Sequence, residues 1–238
     1  MIQPEERLAA AIATLILDPA APPARHIAVG AASPIPAAAC WLVRHMGHPI
    51  RLSLLHRPRG NPFTEGSREL FDLAGQGRID VFFLGGGQID GQANINLVGT
   101  GAWPGRDVRF PGSFGSAFMY LMVPRTILFR EEHSPRVLVR HVDAISAPGV
   151  SAPGEYRRGT AQALVTGRCV FHFDADAARF RLASIHPGQT ASGIRAATGF
   201  DYDGGDAPAT ADPTPAQLAL LRGPVCDEMR ETYPDFCT

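Results

Sequence analysis

Ile79-Asp80-Val81-Phe82-Phe83-Leu84-Gly85-Gly86-Gly87-Gln88-Ile89-Asp90 is the stretch on which the reading of this chain turns. Residues 79–84 read as one strand, apolar but for Asp80, that three glycines cut off, the pattern of a strand buried on both faces. Glycine has no Cβ and reaches positive φ, so a strand ending this way lets the backbone come close to a ligand. A tight turn packed against the next segment accounts for the same glycines, and the stretch alone leaves both readings open.

Upstream, residues 4–17 place Leu8, Ala11, Ile12 and Leu15 on one helical face, with Glu5 and Glu6 favourably near the start. Residues 26–30 read as a short strand, 31–36 as a small-residue turn and 37–45 as a helix; 51–55 and 67–74 repeat the strand-then-helix order. Downstream come apolar segments at 126–129, 137–142, 162–165, 170–173 and 181–185. Residues 201–215, rich in Asp, Gly, Ala, Pro and Thr, predict a flexible surface loop before a last helix over 215–222. Strands alternating with helices predict a three-layer α/β fold with a mostly parallel sheet, in which ligands collect at the carboxyl ends of the strands. Nothing marks an internal repeat or a second domain, so residues 1–238 are expected to form one domain.

A length of 238 residues suffices to bury a core without metals or disulfides. The formal net charge of −1 gives no bulk attraction to nucleic acid or acidic lipid, so any phosphate must be held by local arginines or backbone amides. No uncharged apolar stretch approaches the roughly 20 residues that span a bilayer. The first residues are acidic before they are apolar, the reverse of a signal peptide, and a cytoplasmic protein is expected. Cys40, Cys169, Cys226 and Cys237 lack C-x-x-C spacing and read as free or buried thiols of a reducing compartment. His26, His45, His48, His133, His141 and His172 show no helical pairing with a carboxylate, so no metal site is expected.

The opening stretch, continued through Gly91-Gln92-Ala93-Asn94-Ile95-Asn96, resembles the I-D-V-x-F-L-G-G-A-Q-I-D-x-x-G-N-I-N segment of the B-type (beta) chain of class I coenzyme A transferases, the glutaconate-type branch. Arg109-Phe110-Pro111-Gly112-Ser113-Phe114-Gly115-Ser116-Ala117 is similar to that family's R-L-P-G-S-G-G-A loop, with Phe114 and Ser116 where glycines are usual. Gly30-Ala31-Ala32-Ser33-Pro34-Ile35-Pro36 and the C-terminal Ile185-His186-Pro187-Gly188, Thr198-Gly199-Phe200 and Pro213-Thr214 complete the likeness, in the family's order. The resemblance implies a CoA-transferase type of fold, an A-type (alpha) partner subunit, an acyl-CoA substrate and a higher oligomer of A/B pairs. It implies no permanently bound cofactor, coenzyme A entering only as part of the substrate.

On this reading Gly85, Gly86, Gly87 and Gln88, with Gly112, Ser113, Gly115 and Ser116, line the substrate or CoA site. Asp90, Asn94 and Asn96 are expected to stabilise the turn through Asx hydrogen bonds, and His186 to fix another turn. Arg106 and Arg109 could meet an acidic acyl chain or a CoA phosphate, or simply be solvated. In one respect the likeness fails. The family's transferases carry a nucleophilic glutamate after an early strand, the covalent strategy that divides one hard step into two. Here residues 51–55 run into His56-Arg57-Pro58-Arg59-Gly60, and no carboxylate is recovered by a shift of one or two residues. His56 or Arg57 falls near the expected position, and Glu65, beside Gly66, is the nearest acid not already read as part of a helix; His56 and Glu65 are the catalytic candidates, while Glu69 reads as a solvated helix residue. A related branch of steroid ring-opening CoA hydrolases resembles this gap, since it places the working carboxylate in the A-type chain. A CoA-ester-binding chain that supports a catalytic partner is the third reading.

Overall fold

The computed structural model describes residues 1–55 and 57–237. In chain order it runs α1 (Pro4–Ile16), β1 (His26–Val29), α2 (Pro34–His45), β2 (Arg51–Leu54), α3 (Ser67–Gly75) and β3 (Val81–Leu84). Short ribbons follow as β4 (Gln88–Ile89), β5 (Ile95–Asn96), β6 (Gly99–Thr100) and β7 (Val108–Arg109), then α4 (Ser116–Met122). The chain continues through β8 (Arg125–Arg130), β9 (Thr160–Thr166), β10 (Cys169–Asp174) and β11 (Arg179–Ile185) to α5 (Ala191–Ala197), α6 (Pro215–Leu220) and α7 (Cys226–Met229). The described residues fall into two compact units, one from residues 1–83 with the C-terminal segment from Ala211, the other Leu84–Thr210.

In the first unit β1 lies between β2 and β3 and pairs with both in parallel. All four residues of β1 and all four of β3 are buried, as the unbroken apolar runs require. Pro4 opens α1, whose first turn is tied by Gln3 N donating to the Glu6 carboxylate at 2.8 Å. In α2 every residue from Ala37 to Val43 is buried, the mark of a helix apolar all round and enclosed by its neighbours. His26 is fixed at both ring nitrogens, to Arg78 O and to Ser53 Oγ, each at 2.8 Å.

In the second unit β8 pairs with β9 in parallel, and β10 lies antiparallel to both β9 and β11. Three of these five strand pairings are parallel, which bears out an α/β fold with a mostly parallel sheet. Phe171 packs edge-on to Tyr202 at 4.9 Å between ring centroids, beside Phe180 and Phe200. His133 sits in this core between Thr166 Oγ1 at 2.8 Å and Thr198 Oγ1 at 2.9 Å.

Several expectations change. The apolar segment at 137–142 forms no strand and makes one parallel bridge, Leu138 to Ile89. The composition-based loop at 201–215 is not loose where it passes β11. Leu182 N donates to Asp203 O, Asp203 N to Phe180 O, Ile185 N to Pro208 O and Thr210 N to Ile185 O, all within 2.9 Å. The last helix ends at Leu220 rather than 222 and widens into a π-turn, Leu221–Val225, around Pro224, which lacks the N–H of a regular turn. Finally, Cys226 and Cys237 are not free thiols: they form a disulfide with Cα atoms 5.7 Å apart, because the chain folds back after α7. Spacing rules for cysteines could not see a pairing made by that reversal. Cys40 and Cys169 are free and buried, as expected.

Candidate active site

The strand end and the proline-glycine-serine loop both lie in the second unit, and they adjoin. A Cβ on Gly85 would stand 2.7 Å from Phe129 O, one on Gly86 2.7 Å from Ile95 Cγ2, and one on Gly87 2.2 Å from Phe110 Cε2. None of the three has positive φ, so glycine is needed here for close packing rather than for backbone freedom. Gly87 N donates to Asn96 O at 2.9 Å, which leaves that amide committed within the protein.

The hairpin of β4 and β5 is held by its own polar side chains. Asp90 Oδ1 accepts from Gln92 N at 3.0 Å and Asn94 N at 3.1 Å, while Oδ2 accepts from Asn94 Nδ2 at 3.2 Å. Asn94 Oδ1 accepts from Gly149 N at 3.0 Å. Asn96 donates through Nδ2 to Gln88 Oε1 at 2.7 Å and to Gly99 O at 2.9 Å. The Gln88 oxygen also accepts from Asp143 N at 2.9 Å. All four side chains are buried and bonded to one another or to nearby backbone, so the carbonyl of Gln88 is engaged internally.

The returning ribbon is zipped to this hairpin. Phe110 N donates to Val98 O and Gly112 N to Leu97 O, each at 3.0 Å, which delivers the Phe110 ring to Gly87. Beyond it Gly112 takes φ +105° and Phe114 φ +46°. The second value explains why this place suits glycine: an ordinary side chain there is strained. Phe114 is 81% exposed, and Trp103 and Phe118 are 68% and 40% exposed, a high exposure for aromatic residues on one 16-residue segment. Ser113 O accepts from Ser116 N at 2.8 Å at the start of α4, and Ser116 Oγ is buried without a hydrogen-bond partner among the described residues. The guanidinium groups of Arg106 and Arg109 each lie 5.9 Å from the centre of the Trp103 ring, and Arg106 also donates to Gly101 O and Asp143 O.

Glu65 belongs to the first unit, is exposed and pairs with Arg68 at 3.3 Å. Glu69 accepts from Glu65 N at 3.2 Å and from Thr64 N at 2.6 Å, bonds that hold its carboxyl below the usual range. His56 lies outside the described residues. His186 is buried and bonded at Nδ1 to Thr210 Oγ1 and at Nε2 to Thr166 O, a structural role. No group of metal-ligating side chains occurs among the described residues, and no helix among them is long and apolar enough to cross a membrane. The sequence reading missed the Phe110–Gly87 contact, for which only the aromatic at the second position of the loop motif gave a signal.

No family model matches the chain. It is 31% identical over 149 residues to the B chain of glutaconate CoA-transferase from Acidaminococcus fermentans, covering 60% of this chain and 55% of that protein. It is 31% identical over 160 residues to the IpdB component of the cholesterol ring-cleaving hydrolase of Rhodococcus jostii, covering 65% of this chain and 62% of that one. The chain thus matches less than two thirds of the length of these curated relatives. Among solved structures, IpdAB of Rhodococcus jostii superposes with a TM-score of 0.79 at 25% identity, over 93% of this chain and 94% of that one. The likeness read from the motifs, to the B-type chains of class I CoA transferases and of the steroid ring-cleaving hydrolases beside them, is borne out in sequence and in fold.

Proposed function

We propose that this chain is the B-type component of a heteromeric, cytoplasmic CoA-transferase-like enzyme, and that it presents the loop from Gly112 to Ser116 to an acyl-CoA thioester. The observation that carries this reading is the junction of Gly87 with Phe110, which fixes the glycine strand end and the loop motif side by side while residues 111–112 and Phe114 stay exposed. A surface so composed, with Trp103, Phe114 and Phe118 exposed, suits completion by an A-type partner chain.

Chemistry follows from what the loop offers. A thioester carbonyl gains negative charge on its oxygen as a nucleophile adds, and hydroxyl or amide donors aimed at that oxygen lower the barrier. Ser113 supplies such a donor from a half-buried position. The attacking carboxylate is the open element: residues 57–60 hold none, and IpdB, named as part of a ring-cleaving hydrolase, is among the relatives. Hydrolysis with the carboxylate in the partner is therefore the second reading.

Co-expression with an A-type partner chain tests both. Turnover of acyl-CoA by the complex should fall about 100-fold in Ser113→Ala, with the complex still assembled. Mass spectrometry after incubation with acyl-CoA then separates the readings: a glutamyl-CoA adduct on this chain establishes transfer and sinks the hydrolase version. Unchanged turnover in Ser113→Ala removes the loop from the site.

A further inference from the structure

In the first unit a carboxylate is held where the chain itself offers only cations. β2 runs toward Arg57-Pro58-Arg59-Gly60, a stretch with two guanidinium groups and no acid. Arg57 Nε donates to Glu231 Oε2 at 2.9 Å, and the Arg59 backbone N–H donates to Oε1 at 2.6 Å. Both oxygens of one carboxyl are thus gripped by separate donors, 174 and 172 residues away in sequence. Arg57 Nη2 stands 3.6 Å from Glu228 Oε2, and the guanidinium lies 5.5 Å from the centre of the Trp41 ring. A partly buried guanidinium, oriented by an aromatic and aided by a neighbouring amide, is a geometry that recognises carboxylates.

The segment that supplies Glu231 is a closed loop. Cys226 and Cys237 join its ends, and inside it Tyr233 Oη accepts from Ser33 N at 3.2 Å, in the turn between β1 and α2. It therefore touches the chain beyond β1 and beyond β2, at the strand ends where ligands collect in such sheets.

We propose that Arg57 and the Arg59 amide form a binding site for a carboxylate ligand, and that Glu231 fills it as an internal occupant while the Cys226–Cys237 bond is closed. A dithiol opens the lock: two electrons and two protons pass to the disulfide, giving two thiols, and the reductant leaves as a disulfide. Without covalent closure the Glu231 side chain is held by a partly exposed ion pair and the Arg59 amide, while buried Met229 and Thr232 still anchor the segment, and an external carboxylate competes with the Glu231 carboxylate. Disulfides of cytosolic proteins are commonly transient and redox-sensing, which suits such a lock. The site goes beyond the acyl-thioester reading and stands without any turnover.

Calorimetric titration of the full chain with glutarate, a simple dicarboxylate, tests the proposal without acyl-CoA. Oxidised wild type should bind weakly or not at all; Glu231→Ala and dithiothreitol-treated wild type should each bind about tenfold or more tightly. Adding Arg57→Gln to Glu231→Ala should abolish the gain, and Arg57→Lys, which keeps the charge and loses the Nε donor, serves if the first variant does not fold. Glutarate binding no tighter in Glu231→Ala than in oxidised wild type, or a gain insensitive to Arg57, overturns the site. Reduction without effect overturns the lock.

Discussion

The Phe110 ring occupies the space beside Gly87: a Cβ added there would stand 2.2 Å from Cε2 and 2.3 Å from Cζ. Gly87→Ala should therefore force the ring or the ribbon to move, at about 1–3 kcal/mol of stability. In the Phe110→Ala background the same substitution should cost much less, because the clash has gone. Urea unfolding of the two single variants and the double variant measures the coupling, and additive costs would show that the two residues do not share one space.

Asp90 organises its hairpin through a buried carboxylate that accepts from Gln92 N, Asn94 N and Asn94 Nδ2. Asp90→Ala leaves those donors without an acceptor, and a loss of about 2–3 kcal/mol is expected. Calorimetric unfolding should show the melting temperature fall, while Asp90→Asn, which keeps one acceptor oxygen, falls less.

Burial, followed by the nearby charge of Arg168, pushes His133 down to about 4, from an ordinary histidine value of 6.5. Because the folded value is the lower one, the unfolded chain takes up a proton first as pH falls. The associated stability, roughly 3 kcal/mol, is complete above about pH 6.5 and lost progressively toward pH 4. Burial lowers His26 too, and the sign of its contribution is the same. Urea midpoints at pH 7.5 and pH 5 should converge in His133→Gln relative to wild type; an equal drop in both would assign the acid sensitivity elsewhere.

Closure of the C-terminal loop by Cys226 and Cys237 is expected to contribute about 2–3 kcal/mol, chiefly by restricting the unfolded chain. Cys237→Ser should lower stability by that amount under oxidising conditions and leave it unchanged under reducing ones. Peptide mapping without reductant should recover the two cysteines in one linked species.

Much of the framework was legible because local patterns specify it. The runs at 26–30, 51–55 and 79–84 are largely apolar, short and punctuated, and each holds one of the three strands β1, β2 and β3. Asp90 and Asn96 accept from backbone amides two residues on, a short-range form that local side-chain chemistry anticipates, whereas Asn94 accepts from Gly149 N, 55 residues away, which it does not. Contacts between distant residues escaped. Arg57 and Glu231 carry no mark of each other 174 residues apart, and neither do Cys226 and Cys237 when spacing motifs are the guide. Phe114 stands between the two cases: its departure from the loop motif was visible, but only the backbone φ of +46° shows what glycine would relieve there.

The segment from Asp203 to Thr210 has one more consequence. By bonding to Phe180 O, Leu182 N and both peptide groups of Ile185, it covers part of the outer side of β11, where a second molecule could otherwise append a strand. Deleting that stretch would uncover a sticky margin, and the chain would then face self-association into sheets as a hazard that its present course limits.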